Sequence, residues 1–184
     1  MSEIIVTIVG RDRPGLVHLV STVLAAHGGR IEEVNQTTLK GQFAGLFAIS
    51  GPDNLDNSLL NRSLTEALDG TGLSYWIAPP GESEPAWSGP AEPYVITLQG
   101  QSGSELIPNI TRTVASFDIN IDSLRAVTLS APAGAPPQVL VLEISVPQSV
   151  RQNVFRQALS LTAEELGIEV NLQHRDIFEA LHRL

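Results

Sequence analysis

The chain contains no cysteine, a single lysine and few aromatic residues, 5% of the total. Without cysteine there is no disulfide, no thiolate metal ligand and no cysteine nucleophile. That absence is compatible with a reducing cytoplasm, the expected compartment. With so few aromatic rings, the cores must be built from Leu, Val, Ile and Ala. Positive charge is also scarce: 11 basic residues face 20 acidic ones, giving a net charge of −9. A phosphate-binding surface needs clustered Lys and Arg. Here the basic residues are scattered, which disfavours direct nucleic-acid binding and an anionic membrane surface. No run approaches the roughly 18 apolar residues that span a bilayer. The start, MSEIIVTIVG, lacks the basic leader of a signal peptide. No Gly-x-Ser-x-Gly, His-Glu-x-x-His or paired-carboxylate pattern occurs. His18, His27, His174 and His182 are not at metal-ligand spacing with one another. No catalytic group, metal or cofactor is therefore expected.

What is present suits a packed protein. The 184 residues are 42% hydrophobic and 17% charged, enough for one medium domain or two small ones. Residues 79–93, PPGESEPAWSGPAEP, hold five prolines, two glycines and three glutamates without apolar periodicity. They read as an extended, semi-rigid linker, with Trp87 covering apolar surface. The linker separates an N-terminal domain, 1–78, from a C-terminal one, 94–184.

Adding 90 to residue numbers in the first half aligns the second without a gap over about 35 residues. Thr7 meets Thr97, Gly10 meets Gly100, Leu16 meets Leu106 and Ile31 meets Ile121. Apolar positions fall in step between these identities, so the halves are two copies of one module.

In copy one, EIIVTIV is a β-branched strand. Leu16, Val20, Val23 and Leu24 then recur at helical spacing. Pro14 is placed in the first helical turn, where no intrahelical N–H is needed, with Asp12 or Arg13 at the cap. Gly28 and Gly29 end the helix. RIEEVNQTTL and FAGLFAIS form a hairpin across Gly41–Gln42. A helix carrying Leu60, Leu64, Ala67 and Leu68 follows, and LSYWIA is the last strand. Copy two repeats the order, with strands near 94–99, 119–130, 138–146 and 168–174 and helices near 104–117 and 149–166. Its hairpin has the longer loop APAGAPP. The ending HRDIFEALHRL, with Ile177, Phe178, Leu181 and Leu184 on one face, predicts a short C-terminal helix packed on a sheet or on the other copy. The order βαββαβ predicts an α+β protein of two ferredoxin-like domains, each a four-stranded antiparallel sheet with two helices on one face. The open sheet faces need cover, for which the tandem copies or a homodimer would serve.

The loop GRDRPG, residues 10–15, joins a strand end to a helix N-terminus, where free N–H groups and the positive dipole end converge. A carboxylate suits that position. A P-loop is excluded, because Leu16 and Val17 follow Gly15 where Lys-Ser/Thr is required. Gly10 and Gly15 allow close backbone approach, and Arg11 and Arg13 can pair with a carboxylate or remain solvated. Asp12 either takes a ligand's ammonium or caps the helix. Asn35 and Gln36 sit mid-strand, one facing in and the other out. The inward one needs a partner, either a ligand or a neighbouring loop or subunit. Glu32 and Glu33, being adjacent, read as solvated.

Gly10, the Asp-Arg-Pro-Gly of 12–15, the Gly-Gly helix end, and Ile31 with Asn35 and Gln36 together resemble an ACT domain. Two such units resemble tandem ACT proteins of the glycine cleavage system transcriptional repressor family. The resemblance is strong over 1–50 and weaker over 94–174. It implies a ferredoxin-like fold, a regulatory role and amino-acid binding, with Gly10, Arg11, Asp12, Arg13, Gly15, Asn35 and Gln36 as ligand-binding residues. It also implies a small amino acid such as glycine as ligand and a protein partner, such as a DNA-binding regulator. Copy two departs from this pattern: QGQSGSEL replaces VGRDRPGL, and Arg125 stands where copy one has Asn35. Gly100, Ser102, Gly103 and Arg125 are its candidates, and the ligand, if one binds there, need not be the same.

Overall fold

Alternation in SEIIVTIVGR puts Ile4, Val6 and Ile8 on one side of β1 (Ser2–Arg11), and all three are buried. In the computed structural model, which describes residues 2–52, 57–79, 89–101, 103–129 and 137–182, the same logic builds two units, Met1–Ser83 and Glu84–Leu184. In the first, β1 is followed by α1 (Leu16–Ala26), β2 (Arg30–Leu39), β3 (Gln42–Gly51), α2 (Asn57–Leu68) and β4 (Leu73–Ala78). The strands form one antiparallel sheet in the order β2-β3-β1-β4. Leu16, Val20 and Leu24 of α1 and Leu60 and Leu64 of α2 close one face of it, against Phe43, Phe47 and Ile49 of β3. Every one of these positions follows a period of two or 3.6.

The second unit runs β5 (Ala91–Gln101), α3 (Leu106–Ala115), β6 (Asn120–Thr128), β7 (Pro137–Pro147), α4 (Gln152–Leu166), β8 (Glu169–His174) and α5 (Arg175–His182). Its sheet has the corresponding order, β6-β7-β5-β8. The ferredoxin-like reading of both halves is correct. Phe155 of α4 lies edge-on to Phe117, ring centres 5.2 Å apart, within a core of Leu, Ile and Val. Strand β5 starts at Ala91, three residues inside the expected linker. Pro93 fits there because β8 pairs with β5 only from Tyr94 onward, so the missing Pro93 N–H faces no second neighbour. Trp87, the APAGAPP loop up to Pro136 and Leu184 fall outside the described residues.

Both second strands carry a bulge at the same place, between Ile31 and Glu33 and between Ile121 and Ser123. The extra residue is an exposed acid that hydrogen bonds hold in place. Ser50 Oγ donates to Glu32, as does Arg30 Nε at 2.9 Å. In the second unit Ser145 Oγ donates to Asp122 at 2.7 Å and Asn120 Nδ2 at 2.6 Å. The Ser50 hydrogen bond, then the Arg30 guanidinium, hold the Glu32 carboxyl below its ordinary range. A depressed folded pKa gives stability that is present above the unfolded value and lost as pH falls through the folded one. Ser50→Ala should raise the Glu32 titration midpoint and make the acid-side loss of stability shallower. Carboxyl-carbon NMR titration checks this; an unmoved midpoint would remove Ser50 as the main cause.

Helix α5 lies on the side of its sheet away from α3 and α4, against β5 and β8. Arg175 Nη2 reaches Glu143 at 3.6 Å and Asp122 at 3.8 Å. Val95, on that side of β5, is only 2% exposed.

Candidate ligand cleft at the first helix

Helix α1 begins later than its sequence suggests. Its N-cap is Gly15, at φ 90° and ψ 0°, and no side chain caps it. Pro14 therefore precedes the helix rather than opening it, and Asp12 is not the cap. Gly15 turns the chain left-handed, a conformation that disfavours any residue with a Cβ. The first intrahelical bond is Leu19 N–H to Gly15 C=O, 2.9 Å. The amides of Leu16, Val17 and His18 thus precede the ladder and are unsatisfied by it.

Those three residues line an open cleft of about 410 Å³ together with Asp12, Arg13, Gly15, Gln36, Thr38 and Phe43. Asp12 N–H donates to Gly41 C=O at 2.9 Å, which ties the loop to the β2–β3 turn. Thr38 Oγ1 donates to Asp12 Oδ2 at 3.1 Å and aims the carboxylate. Among the described residues Arg13 has no ion-pair partner and the Gln36 amide no hydrogen bond. The cleft therefore combines backbone donors at a positive helix end, a free cation, a carboxylate and an amide. The donors suit an anion and the carboxylate an ammonium.

The structure brings together Asp12, Arg13, Gly15 and Gln36 of the expected residues. Asn35 pairs with Leu46 and Gln36 with Gly45, so Asn35 points to the opposite, open sheet face. Arg11 ends β1 opposite Gln42, outside the cleft lining. Gly10 is a packing residue: a Cβ there would lie 2.5 Å from Gly72 O and 2.9 Å from Leu73 Cα, at the start of β4. Gly100 matches it, with a Cβ 2.3 Å from Ile168 Cγ2. Of the other second-copy candidates, Ser102 lies outside the described residues. Gly103 accepts from Leu106 N at 3.4 Å in the turn before α3. Arg125 pairs with Val141 on the open face, as Asn35 does with Leu46. Thr38 was missing from the sequence expectation, although its i+2 spacing from Gln36 puts it on the same face.

A family model of the ACT domain matches residues 2–74. A UPF0237 protein of Methanocaldococcus jannaschii is 30% identical over 74 residues, 40% of this chain and 82% of the relative. The chain belongs to the ACT-domain family. Both halves have its ferredoxin-like fold, so this is a tandem ACT protein. Phosphoserine phosphatase SerB2 of Mycobacterium tuberculosis is 27% identical over 172 residues, 93% of this chain, and the chain spans 40% of the phosphatase's length. A crystal structure described provisionally as a glycine cleavage system transcriptional repressor superposes with a TM-score of 0.66 at 18% identity, covering 94% of this chain and 96% of that one. At that identity the likeness speaks for the fold alone. No helix among the described residues is long and apolar enough to cross a membrane.

Proposed function

We propose that the chain is a non-catalytic regulatory protein that binds a small amino acid, glycine or one of similar size, in the α1 cleft and signals to a protein partner. The observation that carries this is the convergence of the Leu16–His18 amides, Arg13, Asp12 and Gln36 on one cleft. The ligand's carboxylate sits at the helix N-terminus near Arg13, and its ammonium faces Asp12, which Thr38 orients. Charge complementarity of both ends selects a zwitterion over a simple anion. Binding transmits a signal only through different affinities for two arrangements of the protein. Transcriptional regulation in the cytoplasm through a DNA-binding partner belongs to this reading. A net charge of −9 argues against direct DNA contact. Homodimerisation is a further element of this reading.

A second reading is favoured by the similarity to SerB2 over 93% of the chain: a ligand-free module that tunes a partner enzyme. A thermal-shift screen over the twenty amino acids separates the two. Stabilisation by one or a few small amino acids is expected from sensing, whereas none at millimolar concentration would leave the tuning module.

A further inference from the structure

The outer faces of the two sheets differ at matched positions. In the second sheet Val95 is flanked by Glu143 and Gln173, Thr97 by Val141 and Asn171, and Gln99 by Val139 and Glu169. This is a polar face, and α5 covers part of it. In the first sheet Ile5 is flanked by Ala48 and Ala78, Thr7 by Leu46 and Trp76, and Val9 by Ala44 and Ser74. Trp76 is 70% exposed, Leu46 52% and Val9 46%. An open antiparallel face is ordinarily the polar one, and a contiguous exposed apolar patch marks an interaction surface.

The second sheet shows which element this module accepts there. Helix α5 enters with Arg175 over the carboxylates of Asp122 and Glu143 and sets Phe178 over the strands. The first sheet has acids at the same end: Glu32 on the matching bulge and Glu33 beside Ala48. Arg30 already satisfies Glu32, whereas Glu33 has no charged partner among the described residues.

We propose that the open face of the first sheet docks an amphipathic helix of a protein partner, which enters with an Arg or Lys over Glu33 and lays its apolar side on Leu46, Trp76 and Val9. This rests on the partner-signalling reading above and names its surface. The cation complements Glu33, and the apolar side buries Leu46, Trp76 and Val9, on a face whose central-strand counterparts in the second sheet are flanked by Glu143, Asn171 and Glu169. Trp76 is the anchor, because buried aromatic residues dominate interface energy.

The test uses the full chain and a lactam-constrained helical peptide of the sequence QHRDIFEALHRL, which reproduces residues 173–184. Fluorescence anisotropy should show saturable binding, weakened about tenfold or more by Trp76→Ala and likewise by Leu46→Asp. A peptide with its first arginine replaced by glutamate should bind poorly to the wild type and regain affinity on Glu33→Lys. Absence of saturable binding overturns the proposal, as does binding that survives Trp76→Ala, because the peptide has then displaced α5. Conversion of a dimer to a monomer by Leu46→Asp also overturns it, because a second copy then covers the face. Trp76 is largely exposed, so Trp76→Ala remains informative if Leu46→Asp fails to fold. Amino-acid thermal shifts in the same variants keep the two claims apart. Lost peptide binding with an intact shift isolates Trp76 docking, and an absent shift with intact docking contradicts sensing alone.

Discussion

Gly10→Ala should destabilise the first domain by about 3 kcal/mol and lower its melting temperature by roughly 10–20 °C. The added methyl would lie 2.5 Å from Gly72 O and 2.9 Å from Leu73 Cα. Both are backbone atoms, so no side-chain rotation relieves the clash. The β1–β4 ladder, paired from Ile5 with Ala78 to Gly10 with Leu73, must open at its last pair. Gly100→Ala should damage the second domain similarly, because its Cβ would lie 2.3 Å from Ile168 Cγ2 and Ile168 packs on the core. A loss of this size is a large part of a small domain's total stability. Gly89→Ala is the control: a Cβ there meets nothing within 4 Å, and the melt should stay put. Differential scanning calorimetry of the three variants decides the matter, and a wild-type melt for Gly10→Ala would contradict the close approach of β1 and β4.

The second large effect concerns ligand affinity. In the proposed binding mode Asp12→Asn would remove a charge-assisted hydrogen bond to the ammonium and should weaken amino-acid binding by roughly thirtyfold. Gln36→Ala should cost about tenfold, the worth of one neutral hydrogen bond at its upper range. Gly15→Val forces a β-branched residue to φ 90°, which moves the Leu16–His18 amides and should bring binding close to zero. Asn35→Ala is the informative bystander: it lies one residue from Gln36 but on the other sheet face, so affinity should not change. Calorimetric titration measures all four. Equal losses from Asn35→Ala and Gln36→Ala would place the ligand elsewhere.

The contrast between Asn35 and Gln36 also shows where sequence reasoning reached its limit. Counting by twos from Ile31 places Glu33 and Asn35 on its face. The bulge at Glu32 inserts one residue, and a one-residue slip exchanges the faces. Val34, Gln36 and Thr38 consequently follow Ile31 onto the helix side, opposite Phe47, Gly45 and Phe43. The stabilising partner of that bulge, Ser50, lies on another strand, so no local pattern announces it. Gly10 posed the same problem. Its match with Gly100 was visible as a repeat, whereas its cause is the approach of Gly72 and Leu73, more than 60 residues away in sequence. The periodic elements were legible because their cause is local. Leu16, Val20 and Leu24, and the alternation of Ile4, Val6 and Ile8, need only a helix or strand with one buried side. The charged loop was legible as a candidate, but the helix start beside it was not, because Gly15 replaces a side-chain cap with a left-handed turn.

The central claim is that the loop before α1 and the inner side of β2 hold an amino acid between them. An amide-resolved NMR titration of the full chain with glycine, alanine and serine tests it most directly. Saturable shifts are expected at the backbone amides of Leu16, Val17 and His18 and at the Gln36 side-chain amide, with the Asn35 side chain unmoved. Saturable shifts confined to other residues, or none at millimolar ligand, would contradict it.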